Sequence, residues 1–165
     1  MAFFDQAGVT ELAILFDDMK GNQADLAEAQ VRKAHFAAEH SKAKRLIVCP
    51  TVYCDDPVLK RVYGPTPERY LEDLGRLLDP SIEVFWTGEE VCSREYSPGH
   101  LARVGEQLRR KPTLWDNYPV NDGPRHVAVP LSARLHRPPG GDRRPSGRSR
   151  GKPLPCSRPC SASRR

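Results

Sequence analysis

Four short apolar runs, each closing on polar or aromatic residues and each followed by a stretch with helical periodicity, constrain this chain more than any other feature. Leu12, Ala13, Ile14, Leu15 and Phe16 form the first run, which ends in Asp17-Asp18. Leu46, Ile47 and Val48 form the second, ending at Cys49, Pro50 and Thr51. Ile82, Val84 and Phe85 begin the third, which closes on Trp86-Thr87-Gly88, and Thr113, Leu114 and Trp115 precede Asp116-Asn117-Tyr118. Between the runs, Ala24, Ala27, Val31, Ala34 and Ala38 recur at steps of three and four, the spacing of one helix face. Leu71, Leu74, Leu77 and Leu78 follow a Thr66 N-cap and Pro67; Leu101, Val104 and Leu108 follow Ser97-Pro98. The expected order is β-α-β-α-β-α-β. Near-continuous apolar strands alternating with helices imply a parallel sheet covered on both faces.

Polar residues gather after each strand and not before it. In an α/β barrel that end carries the active site, and open doubly wound sheets follow a similar rule, so the clustering alone fits either. No GxGxxG or GxxxxGK(S/T) loop follows any strand, which disfavours nucleotide binding.

Charge divides the 165 residues in two. Residues 126–165 hold ten Lys/Arg and one acid, Asp142, for +9; residues 1–125 hold sixteen Lys/Arg and twenty Asp/Glu, for −4. The last forty residues also contain seven Pro, six Ser, four Gly and no aromatic residue, so they cannot offset the entropy of ordering them. A disordered basic tail is expected there, and the pI of 9.1 belongs to it. No apolar run approaches the ~20 residues of a membrane helix, and no secretory signal is visible. The five cysteines (Cys49, Cys54, Cys92, Cys156, Cys160) include no CxxC pair, and the histidines lack zinc-site spacing. Reduced thiols, no metal, no cofactor and a cytoplasmic location are expected.

Asp17 and Asp18 are the sharpest chemical feature. Where a chain turns off a strand end, adjacent side chains can both reach its mouth. Two carboxyls that close repel when both are ionised. A protonated acid beside an ionised carboxylate is the pair that glycoside cleavage needs. The same residues also suit a helix N-terminus, or, with Asn22, a divalent cation. Tyr53, Trp86, Thr87, Trp115, Asn117 and Asp122 are the other strand-end candidates. Sugar sites combine aromatic platforms with amide and carboxylate groups. The tryptophans equally suit a core, and Asn117 and Asp122 equally suit turns. Asp55-Asp56 and Glu89-Glu90 read as solvated loop charges.

The strings Leu-Phe-Asp-Asp-Met (15–19), Val-Cys-Pro-Thr-Val-Tyr-Cys (48–54), Phe-Trp-Thr-Gly-Glu-Glu-Val (85–91) and Leu-Trp-Asp-Asn-Tyr-Pro-Val-Asn-Asp (114–122) resemble glycoside hydrolase family 84. That family contains β-N-acetylglucosaminidases that remove O-linked N-acetylglucosamine from proteins, and enzymes historically called hyaluronidases. The resemblance spans residues 1 to about 125. It implies an α/β fold: a partial (β/α)8 barrel of about four parallel β/α units, strands four to seven of the family pattern. By the same resemblance, Asp17 would orient the substrate's 2-acetamido group, whose oxygen attacks the anomeric carbon. Asp18 would be general acid and then general base, and Tyr53 would hold the oxazoline intermediate. Cys49, Thr87 and Val91 would line the acetamido pocket, Trp115 would wall it, and Asn117 and Asp122 would hold sugar hydroxyls. The partner implied is a β-N-acetylglucosaminide on a glycoprotein or glycan; no membrane is implied, and the oligomeric state is left open.

The family's first three strands, with a glycine and lysine that bind sugar hydroxyls, and its eighth strand are expected to fall outside this chain. Half a barrel leaves two open edges and an uncovered inner face, so low stability is expected. After Arg125 the family pattern is lost. Read one base later, the segment Arg134-Leu-His-Arg-Pro-Pro-Gly-Gly141 permits Ala-Phe-Thr-Gly-Arg-Pro-Ala-Ala, which resembles the family's next strand. Residues 126–165 are thus expected to be frameshifted. Three functions follow: a glycosidase catalytic fragment, an inactive remnant of one, or a basic-tailed binder of nucleic acid or acidic surfaces. The last is disfavoured, because the tail lacks aromatics for base stacking.

Overall fold

Each apolar run forms a strand in the computed structural model, which describes residues 1–117. Asp122 and the expected basic tail lie outside the described residues. A short helix α1 (Ala2–Gln6) precedes β1 (Glu11–Leu15); α2 (Leu26–His40) leads to β2 (Arg45–Cys49). Two helices, α3 (Pro57–Tyr63) and α4 (Tyr70–Leu77), precede β3 (Glu83–Trp86), and α5 (Pro98–Leu108) precedes β4 (Thr113–Leu114). All three pairings are parallel and the order is β1-β2-β3-β4. A doubly wound sheet reverses its strand order at a switch point, and this one does not. Sequential parallel strands with right-handed crossovers put the connecting helices α2, α4 and α5 on the same face, the arrangement of a singly wound barrel segment.

Side chains alternate along each strand, and the helices cover one parity of them. Leu46, Val48, Val84 and Trp86 pack against Ala27, Val31 and Ala34 of α2, Leu71 and Leu74 of α4, and Val104 and Leu108 of α5. The other parity is covered unevenly among the described residues: Ile47 and Cys49 of β2 are buried, whereas Ala13 and Leu15 of β1 are exposed. Ala13, Leu15, Phe85 and Trp115 line a shallow hollow on the helix-free side, and Leu15 is 50% exposed. The expectation of a sheet covered on both faces is therefore corrected at β1, whose helix-free side stays exposed at Leu15.

At the N-terminal end of the strands, one charge cluster ties all four together. Arg45 donates to both oxygens of Glu83 at 2.6 and 2.8 Å and to Glu11 at 3.3 Å, and the Thr113 hydroxyl donates to Glu83 at 2.6 Å. The guanidinium, followed by the Thr113 hydroxyl, holds the Glu83 carboxyl down at about 2.

Several element boundaries differ from the expected ones. Helix α2 begins at Leu26 and buries Leu26, Ala27, Gln30, Val31, Ala34 and Ala37, leaving Ala24 and Ala38 exposed at or beyond its ends. Helix α4 starts at Tyr70, because Thr66 and Pro67 lie in the preceding loop; the Pro67 carbonyl accepts from Tyr70 N–H in a turn. Helix α3 was not anticipated. Asp56 caps it, accepting from Val58 N–H at 2.9 Å, with Pro57 as its first residue. Asp55 pairs with Arg103, and Glu89 accepts from the Ser97 hydroxyl at 2.8 Å. Those acids are partnered, not simply solvated. Ser97-Pro98 does open α5, the serine accepting from His100 N–H. Trp86 is fully buried and donates its indole N–H to His100, which places it in the core.

Candidate active site

The C-terminal strand ends converge on one cavity of about 360 Å³, lined by Asp17, Asp18, Cys49, Tyr53, Thr87, Val91, Cys92, Trp115 and Asn117. Eight residues named from the sequence thus meet in one place, from the loops after all four strands. Asp122 lies outside the described residues. Cys92 is the lining residue that sequence reasoning missed. It follows Val91 in the loop that folds back over the third strand end, and nothing in its type signals that placement.

The Asp17-Asp18 turn is not a helix start, since the next helix begins at Leu26. Asp18 instead adopts the left-handed conformation, φ +56°. Its Oδ1 accepts from the Tyr63 hydroxyl at 2.6 Å and, at the limit of bonding, from Tyr53 at 3.5 Å. Among the described residues no three His, Cys, Asp or Glu side chains gather as a metal site.

A buried polar network fixes the strand ends behind this turn. The Thr51 hydroxyl donates to the Phe16 carbonyl at 2.8 Å and accepts from Gln30 Nε2 at 2.6 Å. The Tyr70 hydroxyl donates to Gln30 Oε1 at 2.5 Å and accepts from Thr51 N–H at 3.0 Å. The network joins the residue before Asp17 to the loop that carries Tyr53. Each buried polar group has a partner, so the positions of the two strand ends are coupled.

The third strand end is closed just as tightly. Thr87 is buried; its N–H donates to the Tyr53 carbonyl at 2.8 Å and its hydroxyl to the Glu90 carbonyl at 3.0 Å. Gly88 follows at φ +103°, where a Cβ would overlap the Ser93 hydroxyl, so only glycine fits this turn. Asn117 donates its amide N–H to the Val91 carbonyl at 2.6 Å, holding that loop against the fourth strand end. Trp115 stands edge-on to Phe85 with centroids 5.0 Å apart, presenting an aromatic wall.

The cavity is anionic and partly buried. Burial, reinforced by the charges of Asp17 and Asp18, pushes the Cys49 thiol up to about 12. Burial and then the Asp18 charge raise the Tyr53 phenol as well. Both groups are therefore neutral at ordinary pH. The site offers two carboxyls, a phenol and small apolar walls. Such a set can transfer protons and hold an amide-bearing ligand, and it lacks an activated nucleophile.

Comparison with known proteins yields consistent matches. A family model described as beta-N-acetylglucosaminidase matches residues 2–145. Protein O-GlcNAcase of Mus musculus and that of Rattus norvegicus are each 32% identical over 126 residues, covering 71% of this chain. The chain spans only 13% of the length of these relatives. A solved mutant of the O-GlcNAc hydrolase of Thermobaculum terrenum aligns with TM-score 0.58 and 39% identity, over 73% of this chain and 27% of that one.

Proposed function

The chain belongs to the beta-N-acetylglucosaminidase family, and from that premise we propose that its strand ends cleave terminal β-linked N-acetylglucosamine by a substrate-assisted, retaining mechanism. The observation that carries this reading is the convergence of Asp17, Asp18 and Tyr53 in one anionic cavity with the neutral Cys49 and Thr87 beside them.

Asp17 accepts from the substrate's acetamido N–H and turns the acetamido oxygen toward the anomeric carbon. That oxygen attacks as the glycosidic bond breaks, and Asp18 gives its proton to the leaving oxygen. The positive charge that develops on the acetamido group is what an anionic cavity stabilises. Tyr53 holds the cyclic oxazoline. Asp18, now ionised, takes a proton from the water that opens the oxazoline from the opposite side. Two inversions at one carbon retain the configuration, and the substrate supplies the nucleophile that the site lacks. Cys49, Thr87 and Val91 enclose the acetamido methyl, Trp115 walls the pocket, and Asn117, with Asp122, takes up sugar hydroxyls. A β-N-acetylglucosaminylated protein is the substrate class that the matched relatives suggest. No helix among the described residues is long and apolar enough to cross a membrane.

The half-exposed Leu15 on the open sheet face favours a second reading, in which this half-site binds the sugar but turns it over only when further strands cover that face. Turnover of 4-nitrophenyl β-N-acetylglucosaminide, with the product anomer read by NMR, tests the proposal. Asp18→Asn is expected to lower the rate by about 10²-fold or more. Undiminished turnover in that variant, or an inverted product, contradicts it. Sugar binding without turnover favours the second reading.

A further inference from the structure

We propose that Tyr63, which is not one of the strand-end residues, is the positioning residue for Asp18, clamping the loop after β1 at two points. This rests on reading Asp18 as the acid and base. The Tyr63 hydroxyl donates to Asp18 Oδ1 at 2.6 Å, and the Tyr63 carbonyl accepts from Gly21 N–H at 3.1 Å. One residue thus fixes both the side chain of Asp18 and the backbone three residues later.

The clamp answers a local need. Asp18 has φ +56° and no helix begins until Leu26, so the turn has no regular hydrogen-bond ladder to hold it. Non-glycine residues take this conformation uncommonly, and it persists where surrounding contacts over-determine it. Helix α3 supplies those contacts. Its start is capped by Asp56, Leu59 is buried in a small cluster with Cys49, Tyr53 and Cys54, and Tyr63 packs against that cluster as the last helical residue. Gly64 at φ +85° ends the helix there, with the Tyr63 hydroxyl on Asp18. The loops meet so closely that a Cβ on Gly21 would overlap the Thr66 methyl.

The chemistry follows from the donor's direction. A phenol O–H fixed at Oδ1 leaves Oδ2 as the oxygen that carries the proton toward the leaving group. When that proton departs, the bond to Oδ1 becomes charge-assisted and strengthens. In the bond-breaking step Tyr63 thereby favours the transition state over the ground state. Tyr53, 3.5 Å from the same oxygen, is left for the substrate.

The test uses the full 165-residue chain and Tyr63→Phe, which keeps the ring and removes the donor. With 4-nitrophenyl β-N-acetylglucosaminide, whose leaving group needs little acid, a fall in kcat of only about 2-fold is expected, with KM nearly unchanged. An alkyl β-N-acetylglucosaminide, whose leaving oxygen needs the proton more, should lose several-fold more. Equal losses on both substrates, or none, overturn the proposal. A second measurement needs no turnover. The Asp18 carboxylate raises the Tyr63 phenol, so Asp18→Asn should return its NMR titration toward that of an ordinary tyrosine. A Tyr63 titration that does not move overturns the clamp. Inactivity of the wild-type chain, with the titration moving as expected, leaves the clamp standing and counts instead against the proposed catalytic function.

Discussion

A thiol walled in beside two carboxylates behaves unlike a surface thiol, and Cys49 is the residue where this can be read directly. It is 2% exposed, and its proton is held by burial and by the charges of Asp17 and Asp18. With the thiol titrating at about 12, its thiolate fraction at pH 8 is roughly 10⁻⁴. Iodoacetamide should therefore alkylate Cys92, which is half-buried, well before Cys49; mass spectrometry of peptides after timed labelling checks the order. Equal labelling of the two contradicts the burial assigned to Cys49. At this scale the paired Asp17-Asp18 and the Tyr53 string were legible, because residue type and strand-end position together restrict the chemistry. Tyr63 and Cys92 were not. Cys92 reaches the cavity, and Tyr63 reaches Asp18, through a loop or helix end whose path depends on packing, and neither type is unusual in a surface segment.

At the scale of elements, buried polar contacts fix strand ends that apolar packing alone would leave free to slide. Tyr70 of α4 and Gln30 of α2 meet Thr51 after β2, and Thr51 in turn holds Phe16 after β1. Removing one hydroxyl leaves this buried network incomplete, at about 1–3 kcal/mol. Tyr70→Phe should thus lower unfolding free energy by about 1–3 kcal/mol, measured by urea denaturation, and reduce turnover through the Asp17 turn. A variant as stable as wild type contradicts the role given to this network. Helix periodicity made α2 and α5 legible, and Ser97-Pro98 marked the start of α5 correctly. The same signature at Asp56-Pro57 marks α3, but the pair Asp55-Asp56 read as solvated charge and obscured it. Thr66-Pro67 carried that signature too, yet it sits in a turn. A cap signal shows where a helix can begin, and the packing of Tyr70 and Leu71 decides where it does.

For the molecule as a whole, the two ends of the sheet are built for different tasks. The N-terminal end carries the Glu11, Arg45, Glu83 and Thr113 cluster, which stitches all four strands; the C-terminal end carries the cavity. Glu83 titrates at about 2 in the folded chain, against an ordinary value of 4.5. Its contribution is complete above 4.5 and is lost as pH falls from there through about 2. Both side chains are partly solvated, so the effect is modest. Urea midpoints measured between pH 6 and pH 2 should fall, and Glu83→Gln should flatten that part of the curve. An unchanged slope contradicts the cluster's role. The parallel β/α architecture was legible, because four apolar runs at regular spacing admit few alternatives. The choice between open sheet and barrel segment came only from the family resemblance, since strand order is absent from local pattern. The β1-β2-β3-β4 order settled it.

The most direct test of the site replaces Asp18 with alanine and supplies sodium azide with 4-nitrophenyl β-N-acetylglucosaminide. This substrate leaves with little help from an acid, so a missing base limits the reaction at the water step. Azide needs no base. The expected result is a low basal rate that rises with azide and yields the β-glycosyl azide. A rate in Asp18→Ala equal to wild type, or a low rate that azide does not raise, would contradict the assignment of Asp18 as acid and base.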